Sequence, residues 1–267
     1  MTIAIFGNPY PEHFSKYIQH LIKKLESEHI NLIVEQEFSI FLKNNIRFNK
    51  KVNTFNSYEN LNNKADFLFS IGGDGTLLKA VTFVRDSDIP ILGINTGRLG
   101  FISSVSADQI DEAVNDVLKK NYKIIERTLL TLDTSKNLFQ NKNFALNEVA
   151  VSKKDTSSMI RIDAYVDDEF LNTYWADGLV VSTATGSTGY SLSCGGPIIM
   201  PGTNNIIITP NAPHNLNVRP IVISGDSVVK LKVEDREQLA LVSLDSRSRA
   251  FDSATELKIK KSNFTTK

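Results

Sequence analysis

The run Phe67, Leu68, Phe69, Ser70, Ile71 ends abruptly in Gly72, Gly73, Asp74, Gly75, Thr76, and a helical pattern begins at Leu77. Such a stretch reads as a strand that ends in a glycine loop carrying one carboxylate. Three glycines around an aspartate let the backbone reach positive φ and let another molecule approach bare N–H groups, because no Cβ stands in the way. A helix starting at Thr76 adds N-terminal amides and the positive end of its dipole, which favour a bound phosphate. Asp74 does not fit that picture by itself. A carboxylate beside a phosphate turn repels the phosphate, unless a metal lies between them or the carboxylate has a proton to remove from a substrate. An isolated G-G-D-G-T can equally be a structural turn with Asp74 as the helix N-cap, so the rest of the chain has to decide.

The organisation around this loop is alternating. Thr2 to Gly7 reads as a buried strand, and Phe14, Ile18, Leu21, Ile22 and Leu25 recur at helical spacing opposite Lys23, Lys24, Glu26 and Glu28. Asn31 to Glu35 is a second strand, which predicts a parallel pair with a right-handed crossover. Asn44 to Asn63, rich in Asn and Lys, fits neither period and reads as irregular. A strand over Asp66 to Ile71, a helix to Arg85 and a strand over Pro90 to Ile94 follow. The next residues, Asn95 to Phe101, form a second polar, glycine-bearing loop. Loops after consecutive strands of an open parallel sheet share one edge, where ligands bind. Asp108 to Lys120 closes this half as a helix. After it, short apolar or period-2 runs take over: Lys123 to Ile125, Leu129 to Leu132, Phe144 to Val151, Ile160 to Val166, Gly178 to Ser182, Ile206 to Thr209, Ile221 to Ile223, Val228 to Val233 and Leu239 to Leu244. Only the region around Tyr190 could be helical. The expected fold is therefore an α/β N-terminal domain with an open, mostly parallel sheet over residues 1–121, followed by a β-rich domain over 122–267 whose last residues return to the first.

Composition narrows the function. The chain of 267 residues is 41% hydrophobic and 22% charged, with 30 basic and 30 acidic side chains, so it offers no bulk charge to nucleic acid or an anionic membrane. No apolar run approaches the ~18 residues of a membrane span, and Met1 leads directly into the first strand, so a cytoplasmic location is expected. A single cysteine, Cys194, rules out an intrachain disulfide and a cysteine-rich zinc site. His13, His20 and His29 have no metal-like spacing and are expected to face solvent, and His214 reads as a turn or packing residue. No Gly-x-x-x-x-Gly-Lys-[Ser/Thr] occurs, which excludes a P-loop.

Three further stretches carry chemistry. Asn147-Glu148 sets an amide and a carboxylate side by side between apolar neighbours. Either one of them points inward, or a bend turns both to one site. Trp175-Ala176-Asp177-Gly178 places a carboxylate where a strand begins. From Ser182 to Thr203 there is no charge, and Thr183, Thr185, Ser187, Thr188, Ser191 and Ser193 alternate with Gly186, Gly189, Gly195 and Gly196. That density of hydroxyls and glycines suits a phosphorylated or polyhydroxylated ligand, with the Tyr190 ring as a stacking face.

Taken together and in this order, these segments resemble the NAD kinases. The match comprises Gly72-Gly73-Asp74-Gly75-Thr76, Asn147-Glu148, Asp177-Gly178, the run Ser182 to Ser193 with Gly195-Gly196-Pro197, Pro213-His214 and Arg219-Pro220. The glycine loop alone is shared with diacylglycerol kinases and phosphofructokinases; the combination is specific to the one family. The resemblance implies ATP-dependent phosphorylation of the adenosine ribose 2′-hydroxyl of NAD, with Mg²⁺ accompanying ATP and no metal ligands in the protein. It assigns proton acceptance to Asp74 and a phosphate loop to Gly72, Gly73, Gly75 and Thr76. Dinucleotide binding falls to Asp74, Gly75, Asn147, Glu148, Asp177, Thr188, Gly189, Tyr190, Ser191, Leu192, Ser193, Ala212 and Arg247, with Ala212 reaching across a subunit interface. It also implies homodimers or homotetramers built through the β-rich half, and places Asp245 in an acidic turn near the nucleotide. Trp175 and Arg247 depart from the commoner basic residue and glutamine. The rival readings are a lipid or sugar kinase of the same superfamily and a dinucleotide sensor without turnover. Asp74→Asn is expected to remove most turnover, about a hundredfold or more in kcat, while NAD binding measured by calorimetry stays largely intact.

Overall fold

The computed structural model describes residues 1–97, 100–154, 159–234 and 239–267. Arg98 and Leu99, in the polar loop after the Pro90 to Ile94 run, lie outside the described residues. The chain divides into two compact units, Met1–Glu126 with Thr266–Lys267, and Arg127–Thr265.

The first unit follows the order β1 (Thr2–Gly7), α1 (Ser15–Ser27), β2 (Asn31–Glu35), α2 (Gln36–Asn45), β3 (Asn53–Phe55), α3 (Tyr58–Leu61), β4 (Phe67–Ile71), α4 (Asp74–Val84), β5 (Ile91–Ile94) and α5 (Ile110–Lys119). The sheet runs β3-β2-β1-β4-β5 and every pairing is parallel. Both faces are covered, which is why β1 and β4 read as unbroken apolar runs instead of alternating ones. Ile3, Ile5, Phe69 and Ile71 pack against α1, α2 and α5. Ala4, Phe6 and Leu68, one residue out of step, pack against α3 and α4 on the other face. Strand order reverses between β1 and β4, so the loops leaving these two strands open at the switch point where such sheets bind ligands.

Two expectations are corrected in this unit, and one helix that the sequence reading passed over is added. The stretch from Asn44 to Asn63 is not wholly irregular, because it holds β3 and α3. The helix α2 was also hidden, since it follows β2 without any turn residue. The Glu35 carboxylate caps it, accepting the N–H of Phe38 at 2.8 Å, and glutamate is an unusual residue for that task. Finally, α4 begins at Asp74, two residues earlier than expected, with Gly73 as N-cap.

The second unit is β-rich, as expected. Its strands are β6 (Arg127–Asp133), β7 (Phe144–Ala145), β8 (Glu148–Lys153), β9 (Ile160–Val166), β10 (Glu169–Ala176), β11 (Gly178–Thr183), β12 (Asn205–Asn211), β13 (Ile221–Ser224), β14 (Val229–Glu234), β15 (Leu239–Leu244), β16 (Arg247–Asp252) and β17 (Leu257–Thr266); a 3-10 turn (Thr185–Thr188) and the short helix α6 (Tyr190–Ser193) lie between β11 and β12. They form two sheets, β10-β9-β14-β17-β6-β7 and β13-β12-β11-β8-β15-β16. Val149, Val151, Leu179, Val181, Ile206, Ile208, Val242 and Leu244 of one sheet share a core with Ile160, Ile162, Val229, Leu231, Leu257 and Ile259 of the other. Asp167 and Asp168, both at positive φ, make the two-residue turn joining β9 to β10, a conformation whose twist matches that of the hairpin.

The run Phe144 to Val151 is not one strand: it breaks at Leu146 and Asn147 into β7 and β8. Lys123 to Ile125 is not a strand. The edge strands β10 and β16 and the inner strand β17 were not foreseen; β16 is largely polar, and none of the three carries a clean alternation. Among the described residues no helix is long and apolar enough to cross a membrane.

Phe69, fully buried in the middle of β4, tests the weight of the first core. Phe69→Ala is expected to cost about 3–5 kcal/mol of stability, read as a lowered urea midpoint.

Candidate active site

In the first unit the glycine loop joins β4 to α4. Gly72 sits at φ 147°, a conformation that L side chains rarely adopt, and a Cβ there would lie 2.3 Å from Thr76 Oγ1. Its N–H donates to the Ile94 carbonyl, and Thr76 Oγ1 accepts from Asn8 Nδ2 at 2.9 Å, so the loops after β1 and β4 and the end of β5 are tied together. Gly73 and Gly75 differ from Gly72. Both are exposed, and a Cβ on either would meet no atom of the described residues within 4 Å. Packing therefore gives no reason for glycine at these two positions, whereas an approaching ligand does.

Asp74 is the first residue of α4, and its carboxylate turns away from its own helix. Oδ2 accepts the N–H of Phe101 at 2.8 Å, and Oδ1 accepts those of Ile102 at 3.1 Å and Ser103 at 2.9 Å. The N-cap reading of Asp74 is thereby overturned. Ser103, fully buried, locks the arrangement by donating its Oγ–H to the Gly72 carbonyl at 2.9 Å. Gly100 is needed for the approach: a Cβ there would lie 2.1 Å from Asp74 Oδ1. Three amides take three of the roughly four acceptor positions of a carboxylate, which leaves one for another donor.

In the second unit the break between β7 and β8 presents Asn147 and Glu148. Of the two alternatives the sequence left open, the bend is the one observed. Asn147 Nδ2 and Glu148 Oε2 both converge on Gly189, 3.2 and 3.1 Å from where its Cβ would stand. Asn147 Oδ1 and Glu148 Oε2 are buried and accept no hydrogen bond from any of the described residues. Burial first, and then the charge of Asp245, push the Glu148 carboxyl up to about 7, against the N–H of Tyr190, which favours the ionised form.

The hydroxyl-rich stretch divides by role. Thr183 Oγ1 donates to the Leu146 carbonyl and accepts the N–H of Gly186, Ser187 Oγ donates to the Ile199 carbonyl and accepts its N–H, and Ser191 Oγ shares a hydrogen bond with Thr209 Oγ1. These hydroxyls build the turn. Thr188, Gly189, Tyr190, Leu192 and Ser193 remain accessible. The Tyr190 hydroxyl accepts from Asn211 Nδ2 at 2.8 Å, and burial, Cys194, Asp177 and Glu148 together raise its pKa, which puts all three acidic groups within electrostatic reach of one phenol.

Asp177 pairs with Lys153 at 2.7 Å across β11 and β8. Ala212, exposed at φ 46°, directly follows Asn211. Arg247 points elsewhere, since its guanidinium donates to the carbonyls of Lys142 and Phe144. Ser103, Lys153 and Asn211 were missed from sequence. Each acts on a partner 18 or more residues away, so no local signal marks it. His13, His20, His29 and His214 are exposed, and His20 pairs with Asp111.

The chain matches the model of the ATP-NAD kinase N-terminal domain over residues 3–122 and that of the ATP-NAD kinase C-terminal domain over residues 146–267. It is 45% identical over 267 residues to the NAD kinase of Christiangramia forsetii, covering 99% of this chain and 91% of the relative. To the NAD kinase of Flavobacterium psychrophilum it is 48% identical over 266 residues, with 99% and 90% covered. A crystal structure of an NAD kinase from Archaeoglobus fulgidus in complex with ATP superposes with TM-score 0.78 at 28% identity, covering 100% of this chain and 92% of that one. Yeast NADH kinase complexed with NADH, at 24% identity, shares the fold with TM-score 0.87, covering 100% and 83%. Fold and relatives together define a phosphotransferase of the kinase class. Within that class, the chain belongs to the ATP-NAD kinase family.

A carboxyl whose folded pKa exceeds its unfolded value binds more protons in the native state, so stability falls as pH rises from about 4.5 to 7 and levels off above. Glu148→Gln is therefore expected to be more stable than the parent at pH 8 by about 3 kcal/mol, and near parity at pH 4, in urea melts.

Proposed function

We propose that the chain transfers the γ-phosphoryl group of ATP to the 2′-hydroxyl of the adenosine ribose of NAD, giving NADP and ADP. The observation that carries this reading is the pair of buried, unpartnered acceptors at Asn147 and Glu148. A buried polar atom without a partner is costly, and donors on a ligand's base or ribose relieve the cost. Asn147, Glu148, Asp177, Thr188, Gly189, Tyr190, Ser191, Leu192 and Ser193 hold the dinucleotide. Of these, Ser191 contributes through the turn that it builds. Gly73 and Gly75 receive phosphate, in a turn that Gly72 and Thr76 shape from within. Arg247, spent on backbone carbonyls, supports the site from behind, and Ala212 stands at an interface with a second copy.

Asp74 aligns the acceptor hydroxyl with its remaining lone pair and takes the proton as the bond from oxygen to the γ-phosphorus forms and the bond to ADP breaks. Phosphoryl transfer asks mostly for positioning, so alignment is the larger part of that role. Among the described residues no three of His, Cys, Asp and Glu converge as a metal cage. The Mg²⁺ of this reaction arrives with ATP as part of the substrate. Exposed Ile198, Met200 and Leu216 supply apolar surface for assembly into dimers or tetramers through the β-rich unit. A cytoplasmic location remains the reading of the sequence.

Incubation with NAD, ATP and Mg²⁺ is expected to yield NADP, followed by an NADP-specific dehydrogenase. Binding of NAD without any NADP would favour the sensor, and ATP consumption only with a lipid or sugar alcohol would favour the other kinase classes.

A further inference from the structure

The turn between β15 and β16 holds a carboxylate that neither strand requires. Asp245 lies at φ 52° with its side chain 4% exposed. Its Oδ2 accepts the N–H of Leu146 at 3.0 Å, and its Oδ1 accepts those of Asn147 at 2.8 Å and Glu148 at 3.3 Å. In return its own N–H donates to the Glu148 carbonyl at 3.0 Å. Regular pairing of β15 with β8 runs only as far as Leu244 opposite Val149, so the three amides at the break have no place in that ladder. Two residues on, Arg247 donates to the carbonyls of Lys142 and Phe144 on the other side of the same break, and lies 3.9 Å from Asp245. One turn thus grips both polarities of the interrupted strand.

We propose that Asp245 is a positioning residue for dinucleotide binding: it acts through the backbone of Leu146, Asn147 and Glu148, fixing the bend that aims both side chains at Gly189, and does not touch the ligand itself. This rests on the reading of Asn147 and Glu148 as the dinucleotide site. Geometry supports it independently, because without an acceptor at Asp245 the three part-buried amides would have to turn toward other partners and carry the two side chains with them. The charge of Asp245 also faces Glu148. The other groups around Glu148 are the Tyr190 N–H and phenol and the Cys194 thiol, while Arg247 faces Asp245.

The test is Asp245→Asn, which keeps the shape and removes the charge and one acceptor. The KM for NAD is expected to rise about tenfold, with kcat and the KM for ATP changed less than about threefold. The side-chain carboxyl of Glu148, followed by carbon-13 NMR, is expected to titrate at lower pH than in the parent. A core truncation on the same strand, Val242→Ala, controls for lost stability and is expected to leave both readouts in place. An unchanged KM for NAD, an equal rise in Val242→Ala, or an unmoved Glu148 titration overturns the proposal. Should Asp245→Asn fail to fold, amide hydrogen exchange in the unmodified protein decides: protection of Leu146, Asn147 and Glu148 matching that of β8 supports the staple, and exchange at solvent-like rates overturns it. Should the unmodified protein make no NADP, the activity reading fails on its own, because exchange and titration judge the staple without substrate.

Discussion

Backbone amides that leave regular structure still need acceptors, and at the candidate site of each unit one aspartate accepts three of them. Asp74 accepts from Phe101, Ile102 and Ser103; Asp245 accepts from Leu146, Asn147 and Glu148. A carboxylate suits the task because it offers several lone pairs in one plane and no donor to be left over. The irregular backbone so tethered is the backbone that carries the chemistry. Loops that bind ligands need an unusual conformation, and an unusual conformation persists only where its surroundings over-determine it.

The two aspartates differ in what they leave available. Asp74 is half-buried between the exposed Gly73 and Gly75, and the described residues take three of its roughly four acceptor positions. Asp245 is enclosed, and its charge is felt mainly by Glu148 on one side and Arg247 on the other. Burial first, and then the charge of Asp245, raise the Glu148 carboxyl toward neutrality. The second unit therefore couples the shape of its site to the charge state of the site through one side chain.

Much of this was legible along the chain. The unbroken apolar run of β4 ending in Gly72, the helical spacing of α1 and the change of pattern after Lys120 are local signals, and each corresponds to an observed element. Asn147-Glu148, Asp177 and the Thr/Ser/Gly run were recognisable as a set because of their order and chemistry. What misled were places where tertiary partners replace local ones. The helix α2 lacks a turn residue before it because Glu35 caps it, β16 is polar because it is an edge, and Phe144 to Val151 looks like one strand because its break is stabilised from Asp245, nearly a hundred residues away.

The amino-acid sequence alone determined the two-part architecture, the glycine turn with its carboxylate and the family to which these motifs point. Those features depend on residue type at short spacing, which periodicity and turn chemistry report directly. Only the folded chain decided how the functional groups are presented: that Asp74 faces Phe101 to Ser103 and not its own helix, that Asn147 and Glu148 share one side, and that Ser187 and Ser191 are spent on the turn while Tyr190 stays open. The reason is that a hydrogen bond's partner is chosen by proximity in space, and the partners here lie from 12 to 99 residues apart in the chain.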